Sequence, residues 1–180
     1  MKSLKTISIL VVGLTLLAAG CTSTRTQKSA GEAIDDTITL AKVKSALIGD
    51  PLTKAHEIDV DVFKGIVQLN GFVDSAAERS RATVVAHDVS GVKEVRNNLG
   101  LATAPNTVAR VLDDTAITGK VKEALVDSAD TKAYQINVDT NGAIVRLSGF
   151  VDTANAKHAA SFVARSVAGV RSVRNDIDVK

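Results

Sequence analysis

Residues 36–101 fall onto residues 114–179 without a gap, and nearly half of the aligned positions are identical. Asp36-Thr37 meets Asp114-Thr115, and Lys42-Val43-Lys44 meets Lys120-Val121-Lys122. Gly71-Phe72-Val73-Asp74 meets Gly149-Phe150-Val151-Asp152, and Val95-Arg96-Asn97 meets Val173-Arg174-Asn175. A duplicated unit fixes the domain count before any element is assigned. Two copies make a pair of small domains, because a solenoid needs three or more stacked repeats. Each copy is shorter than about 70 residues, a size at which a single core is marginal. Residues 102–113 join the copies and contain the turn signal Pro105-Asn106, so the repeats are expected to sit close and pack on each other.

Each copy can be read against the other. Asp36-Thr37 and Asp114-Thr115 predict helix N-caps, since short polar side chains satisfy the free amides of a first turn. Val43, Ala46 and Leu47 line one helical face, as do Val121, Ala124 and Leu125. Ile58, Val60 and Val62 alternate as in a half-buried strand. Asn141-Gly142 predicts a tight hairpin turn whose counterpart, Lys64-Gly65, is displaced by one residue. The return strands run through Val67, Leu69 and Val73, or Val145, Leu147 and Val151. Ser75 with Glu78 predicts a capping box opening a second helix with Val85, Ala86 and Val89 on its apolar face. Gly91 and Gly169 stop these helices, and Val92 to Leu99 or Val170 to Val179 supplies a last strand. The expected fold is α+β: two αββαβ domains, each a small mixed sheet with two helices on one face.

The N-terminal region carries a different signal. Lys2 and Lys5 precede the uncharged run Ile7 to Leu17, followed by Ala18-Ala19-Gly20-Cys21. A basic start, a brief apolar stretch and small residues at a cut site describe a signal peptide over 1–20. The run falls short of the roughly 20 residues a membrane-spanning helix needs. The small residues lead into the single cysteine, Cys21, an arrangement that resembles the lipobox of bacterial lipoproteins. That resemblance implies acylation, palmitate included, of Cys21, and several acyl chains on one residue anchor stably where one is marginal. Thr22, rather than aspartate, follows the cysteine; by resemblance to the lipoprotein sorting rule this implies an outer-membrane anchor facing the periplasm. Residues 21–35 are polar and small and read as a flexible tether to the first domain, 36–101; the second domain is 114–180.

The net charge of +2 comes from 22 basic and 20 acidic residues; Lys2 and Lys5 supply the excess, and each repeat lies within one charge of neutrality. Four Phe, one Tyr and no Trp leave few stacking platforms, which argues against nucleic acid as a partner. His56, His87 and His158 face Tyr134, Arg165 and Ser80 in the other copy, no metal-ligand spacing occurs, and no nucleophile elbow or phosphate loop is present. The sequence therefore predicts no enzyme, no metal site and no cofactor. Gly71 and Gly149, inside strands, read as bulges or points of close backbone approach.

An αββαβ unit carrying Val67-Gln68-Leu69-Asn70-Gly71-Phe72-Val73 and Ser90-Gly91-Val92-Lys93-Glu94-Val95-Arg96-Asn97 resembles a BON domain. The second copy, with Asp113-Asp114-Thr115-Ala116-Ile117-Thr118-Gly119-Lys120-Val121-Lys122, is similar to the osmotically inducible periplasmic members of that family. In its lipobox the chain is more similar to the dual-BON outer-membrane lipoproteins. The resemblance implies a role in envelope integrity under stress, through phospholipid contact or periplasmic chaperoning.

The first helices hold the candidate binding residues. Lys42 and Lys44, like Lys120 and Lys122, flank the apolar seam, where their stems can lie along a membrane surface; a solvated helix face is the plainer account. The second copy is favoured, because Arg165 replaces His87, Ser172 replaces Glu94, and Lys157, Arg171 and Arg174 add positive charge. Ala116 gives that helix no aromatic to insert, so contact with anionic headgroups is expected to be electrostatic and salt-sensitive. The competing expectation is a chaperone or adaptor that binds envelope proteins through its sheet face or helix grooves.

Overall fold

The computed structural model describes residues 28–53, 58–102, 107–131 and 136–180. The signal peptide, Cys21, His56 and the Pro105-Asn106 turn lie outside the described residues. Each repeat opens on a long helix, α1 (Ala30–Gly49) or α3 (Val108–Asp127). A hairpin follows: β1 (Ile58–Phe63) with β2 (Ile66–Val73), or β5 (Ile136–Asn141) with β6 (Ile144–Val151). Next come the second helices, α2 (Ala76–His87) and α4 (Ala154–Ser166). The last strand of each repeat is broken in two, as β3 (Glu94–Asn97) and β4 (Gly100–Leu101), or β7 (Ser172–Asn175) and β8 (Asp178–Val179). The hairpins are antiparallel, whereas β3 and β4 run parallel to β2, and β7 and β8 to β6. Two mixed sheets of αββαβ units result, as expected.

The first helices begin earlier than their polar sequence suggests. Ser29 caps α1 by accepting from the Glu32 N–H at 3.2 Å, and Glu32 Oε2 accepts the Ser29 N–H at 2.8 Å, a reciprocal box. Residues 30–35 are therefore helical rather than tether. Thr107 caps α3 one way only, its side chain accepting the Arg110 N–H at 3.4 Å, so residues 108–113 are helical rather than linker. The supposed caps have another task. Asp36 and Asp114 lie buried nearly two turns further in and reach across to the hairpins. Asp36 accepts the N–H groups of Lys64 and Gly65 at 2.7 and 2.8 Å; Asp114 accepts those of Gly142 and Ala143, both at 2.8 Å. Each helix thus clamps its own hairpin turn through one carboxylate.

This clamp corrects the turn assignment in the second copy. The turn residues there are Gly142-Ala143, both at positive φ, and not Asn141-Gly142; they align with Lys64-Gly65 without displacement. Matching Ile144 to Ile66 keeps the apolar face of β6 on the helices, and a one-residue slip would turn that face over. Ala143 accepts a φ of 62° as the consequence. Ser75 caps α2 as predicted, but Glu78 bonds the Asp74 N–H, one residue beyond the expected partner.

Each core lies between sheet and helices. Val43, Leu47, Val67, Leu69, Ala82 and Ala86 are fully buried in the first, and Val121, Leu125, Val145, Leu147, Ala160 and Ala164 in the second. The opposite sheet faces turn toward each other and pack the repeats together through β2, β5 and β6. This seam is largely polar. Buried Gln68 donates to Asp178 and accepts the Gly149 N–H at 2.9 Å. Arg96 lies 2.5 Å from the same Asp178. Phe63 stacks on Phe150 with ring centroids 5.2 Å apart, and Lys28, Lys64 and Lys180 surround the Phe63 ring. The sheet faces proposed above as a protein-binding surface therefore cover each other.

Candidate functional site

Each repeat carries a groove bounded by the second turn of its long helix, its hairpin turn and the turn after its second helix. The groove of the first repeat, about 370 Å³, is polar, with Thr39, Lys64, Ser90 and Lys93 among its walls. The equivalent groove of the second, about 410 Å³, is apolar: Ile117 replaces Thr39, Ala168 replaces Ser90, and Ala116, Ala143 and Gly169 complete the floor. Lys120 stands at its rim as Lys42 does in the first. The duplicated frame thus keeps a rim cation and changes the floor.

The structure spreads the six sequence-predicted cations over different surfaces. Lys120 lines the apolar groove, and Arg171 is exposed nearby, its N–H donating to the Ala143 carbonyl at 2.8 Å. Lys122, two residues along the helix, is turned away from Lys120 and lines a cavity between the repeats. Lys157 and the exposed Arg165 lie on α4; the Lys157 carbonyl accepts from Asn175 Nδ2 at 2.7 Å. Arg174 belongs to the sheet and is committed to Asp176, with Nε 3.1 Å from both carboxylate oxygens. Lys120 lines the groove whose wall residue Ala143 accepts from the Arg171 backbone, Lys157 and Arg165 share a helix, and Lys122 and Arg174 join neither group.

Sequence reasoning missed Phe162. It is 77% exposed, halfway along α4, with exposed His158 one turn before it and Arg165 one turn after. The helix contains Lys157 and Arg165 and no carboxylate. Its counterpart α2 contains Glu78 and is followed by Asp88, with Val84 in the place of Phe162. The missing signal was available, because Phe162 lies two residues from Ala160 and Ala164, off the small-residue seam that buries α4 against the sheet. The long helices also leave apolar side chains outside: Ile34 and Ile38 on α1, and Val108 and Leu112 on α3.

The cavity between the repeats, about 440 Å³, is lined by Asp59, Phe72, Asp74, Lys122, Asp139 and Asn141, among others. It exists because the seam is lopsided: Asn141 stands where the first repeat has Phe63, so Phe72 lacks the stacking partner that Phe150 has. Among the described residues no group of histidine, cysteine and carboxylate side chains is arranged to hold a metal ion. His87 and His158 are both exposed. No described helix is long and apolar enough to cross a membrane.

Two copies of one αββαβ module, closed sheet to sheet with their helices outward, define a class of duplicated α+β domain pairs. The BON domain family matches residues 35–103 and 113–180. The chain belongs to that family and carries two copies of its domain. It is 35% identical to osmotically-inducible protein Y of Escherichia coli over 151 residues, 83% of this chain and 75% of that protein. It is 28% identical to the outer membrane lipoprotein DolP of Haemophilus influenzae over 96% of this chain and 95% of that protein. Among solved structures, it is similar to the C-terminal domain of CdsD, a type III secretion structural protein of Chlamydia trachomatis, at 14% identity and a TM-score of 0.33, covering 78% of this chain and 96% of that one.

Proposed function

We propose that this chain is a non-enzymatic, periplasm-facing lipoprotein, anchored in the outer membrane through Cys21, that supports envelope integrity under stress by binding anionic phospholipid headgroups through its second repeat. The names of the relatives, an outer-membrane lipoprotein and an osmotically inducible protein, support the envelope setting. The observation that carries the lipid reading is the outer face of α4, where exposed Phe162 sits between exposed His158 and Arg165 with no carboxylate on the helix. An amphipathic surface that rests on a membrane interface combines cations with an aromatic able to enter the headgroup layer. Lys120 and Arg171, at the end of the apolar groove, extend the same charge. The charge-only contact expected from the sequence thus gains an apolar component.

Vesicle flotation of the chain with Cys21→Ser, which removes the acyl anchor, tests this reading. Anionic vesicles are expected to float the protein, neutral ones much less, and moderate salt to weaken flotation without abolishing it. Lys120→Glu with Arg165→Glu removes the salt-sensitive part, and Phe162→Ser the remainder. Absence of flotation with every vesicle would refute the lipid reading and favour protein partners, for which Ile34, Ile38, Val108 and Leu112 offer the exposed apolar side chains.

A further inference from the structure

We infer that Asp139 holds a proton at the seam between the repeats, so that the seam closes most tightly in acid and loosens when Asp139 gives that proton up. The argument comes from the duplication and stands independently of the lipid reading. Asp61 and Asp139 occupy equivalent positions, on β1 and β5. Asp61 is satisfied by two amides: Asn70 Nδ2 of its own repeat donates at 3.1 Å, and Asn137 Nδ2 donates from the other. Neither donor exists for Asp139. Ser148 replaces Asn70, and Asp59 replaces Asn137. The shorter serine leaves its buried Oγ without a hydrogen-bond partner, and Asp139 Oδ2 is likewise buried and unpartnered.

A proton is the donor that completes this half of the seam. Carried by Asp139, it neutralises the carboxyl whose buried oxygen lacks the two amides serving Asp61. Without it, two like charges face each other. The charged groups facing Asp139 come from every neighbouring element: Asp59 and Asp61 on β1, Lys122 and Asp114 on α3, Arg146 on β6 and Asp74 after β2. Carboxylates outnumber cations. Arg146 is ion-paired with Asp176, Nη1 to Oδ2 at 3.0 Å, and neither its buried Nε nor its Nη1 hydrogen-bonds Asp139. Burial first, then Asp59, push Asp139 from the ordinary carboxylate value to about 6, while Lys122 and Arg146 pull the other way. The exposed Asp59 and the cavity beside it give the proton a path to water.

The sign follows from linkage. A carboxyl whose folded value is raised binds its proton more tightly in the folded state, so stability falls as pH rises, until the proton is lost near the raised value. Carboxyl-carbon NMR titration of the full chain, paired with thermal unfolding at about pH 5 and about pH 7.5, tests this. Expected is an Asp139 midpoint near 6 and a Tm several degrees lower at the higher pH. Asp59→Asn supplies the amide that Asn137 provides in the other half; it should return the Asp139 midpoint toward the ordinary range and flatten the pH dependence. Asp139→Asn should flatten it as well. A wild-type midpoint in the ordinary carboxylate range, or a pH dependence that persists in both variants, overturns the inference.

Discussion

Replacing Ala143 with glycine should stabilise the protein, although it removes a methyl group and loosens the unfolded chain. Ala143 is the second residue of a tight turn and has a φ of 62°, the left-handed region. That conformation costs an L-residue roughly 1–2 kcal/mol. Glycine escapes this strain, but its freer unfolded chain returns about 0.4–1 kcal/mol of it. Less the packing of the partly buried methyl against the second core, the balance is a gain of about 0.5 kcal/mol, or a rise of about 1–2 °C in Tm for a cooperative unit of this size. Asp114 accepts the backbone N–H groups of both turn residues, and glycine preserves both bonds. The reciprocal change, Gly65→Ala, introduces the same strain at a φ of 82° and brings a Cβ within 3.0 Å of Lys93 Cγ and Cδ and 3.2 Å of the Gly91 carbonyl. The lysine can swing away and the carbonyl cannot, so the cost is about 1–2 kcal/mol. Urea unfolding should show the two midpoints moving in opposite directions at constant slope. A neutral or destabilising Ala143→Gly would refute the claim that this turn stores strain held in place by Asp114.

Asp36 predicts the opposite pH behaviour to Asp139. Burial opposes its ionisation, yet the Lys28 ammonium and the amides of Lys64 and Gly65 outweigh burial and hold it below the ordinary carboxylate value. Its contribution is present above the unfolded value of 3.8 and is lost as pH falls through the lower folded value, so Asp36→Asn should lower stability at neutral pH and flatten the acid limb of a thermal-unfolding series. The lopsided seam makes a further prediction: Phe63→Ala, at the filled end, should cost about 3–4 kcal/mol, and Phe72→Ala, beside the cavity, clearly less. Equal costs in urea unfolding would mean that the stack of Phe63 on Phe150 does not hold the repeats together.

The fold was legible because every element is written twice. Apolar spacing in Val43, Leu47, Val67 and Leu69 recurs in Val121, Leu125, Val145 and Leu147, and all eight are fully buried. The helix starts were misread because Asp36 and Asp114 are good capping residues by type. Their carboxylates instead serve a hairpin that lies 28 and 29 residues away in the chain, a contact no local rule reports. The Asn141-Gly142 turn was misplaced because local turn preference lost to the register of the buried face of β6. The candidate site was legible as residues and not as a surface. Lys120 and Lys122 look adjacent in sequence, but helical geometry sends one to a groove and the other to the seam. Phe162 was legible in principle from its offset of two residues from Ala160 and Ala164, but only once those small residues are taken as the buried seam of α4.

The asymmetry between the repeats gives α3 a special place. Its Lys120 faces the apolar groove of the second repeat, and its Lys122 faces the cavity that the exchange of phenylalanine for Asn141 leaves open. Lys122, together with Arg146, favours the ionised form of Asp139 against burial and Asp59. An anionic surface that drew Lys122 outward would strip Asp139 of that support and raise its affinity for a proton. Coupling between two binding equilibria is reciprocal. Acid, by neutralising Asp139, would therefore release Lys122 toward an anionic surface, while the same protonation tightens the seam. If Asp139 holds its proton as inferred, two differences between the copies, Asn70 against Ser148 and Phe63 against Asn141, would link the closure of the domain pair to the charge it presents.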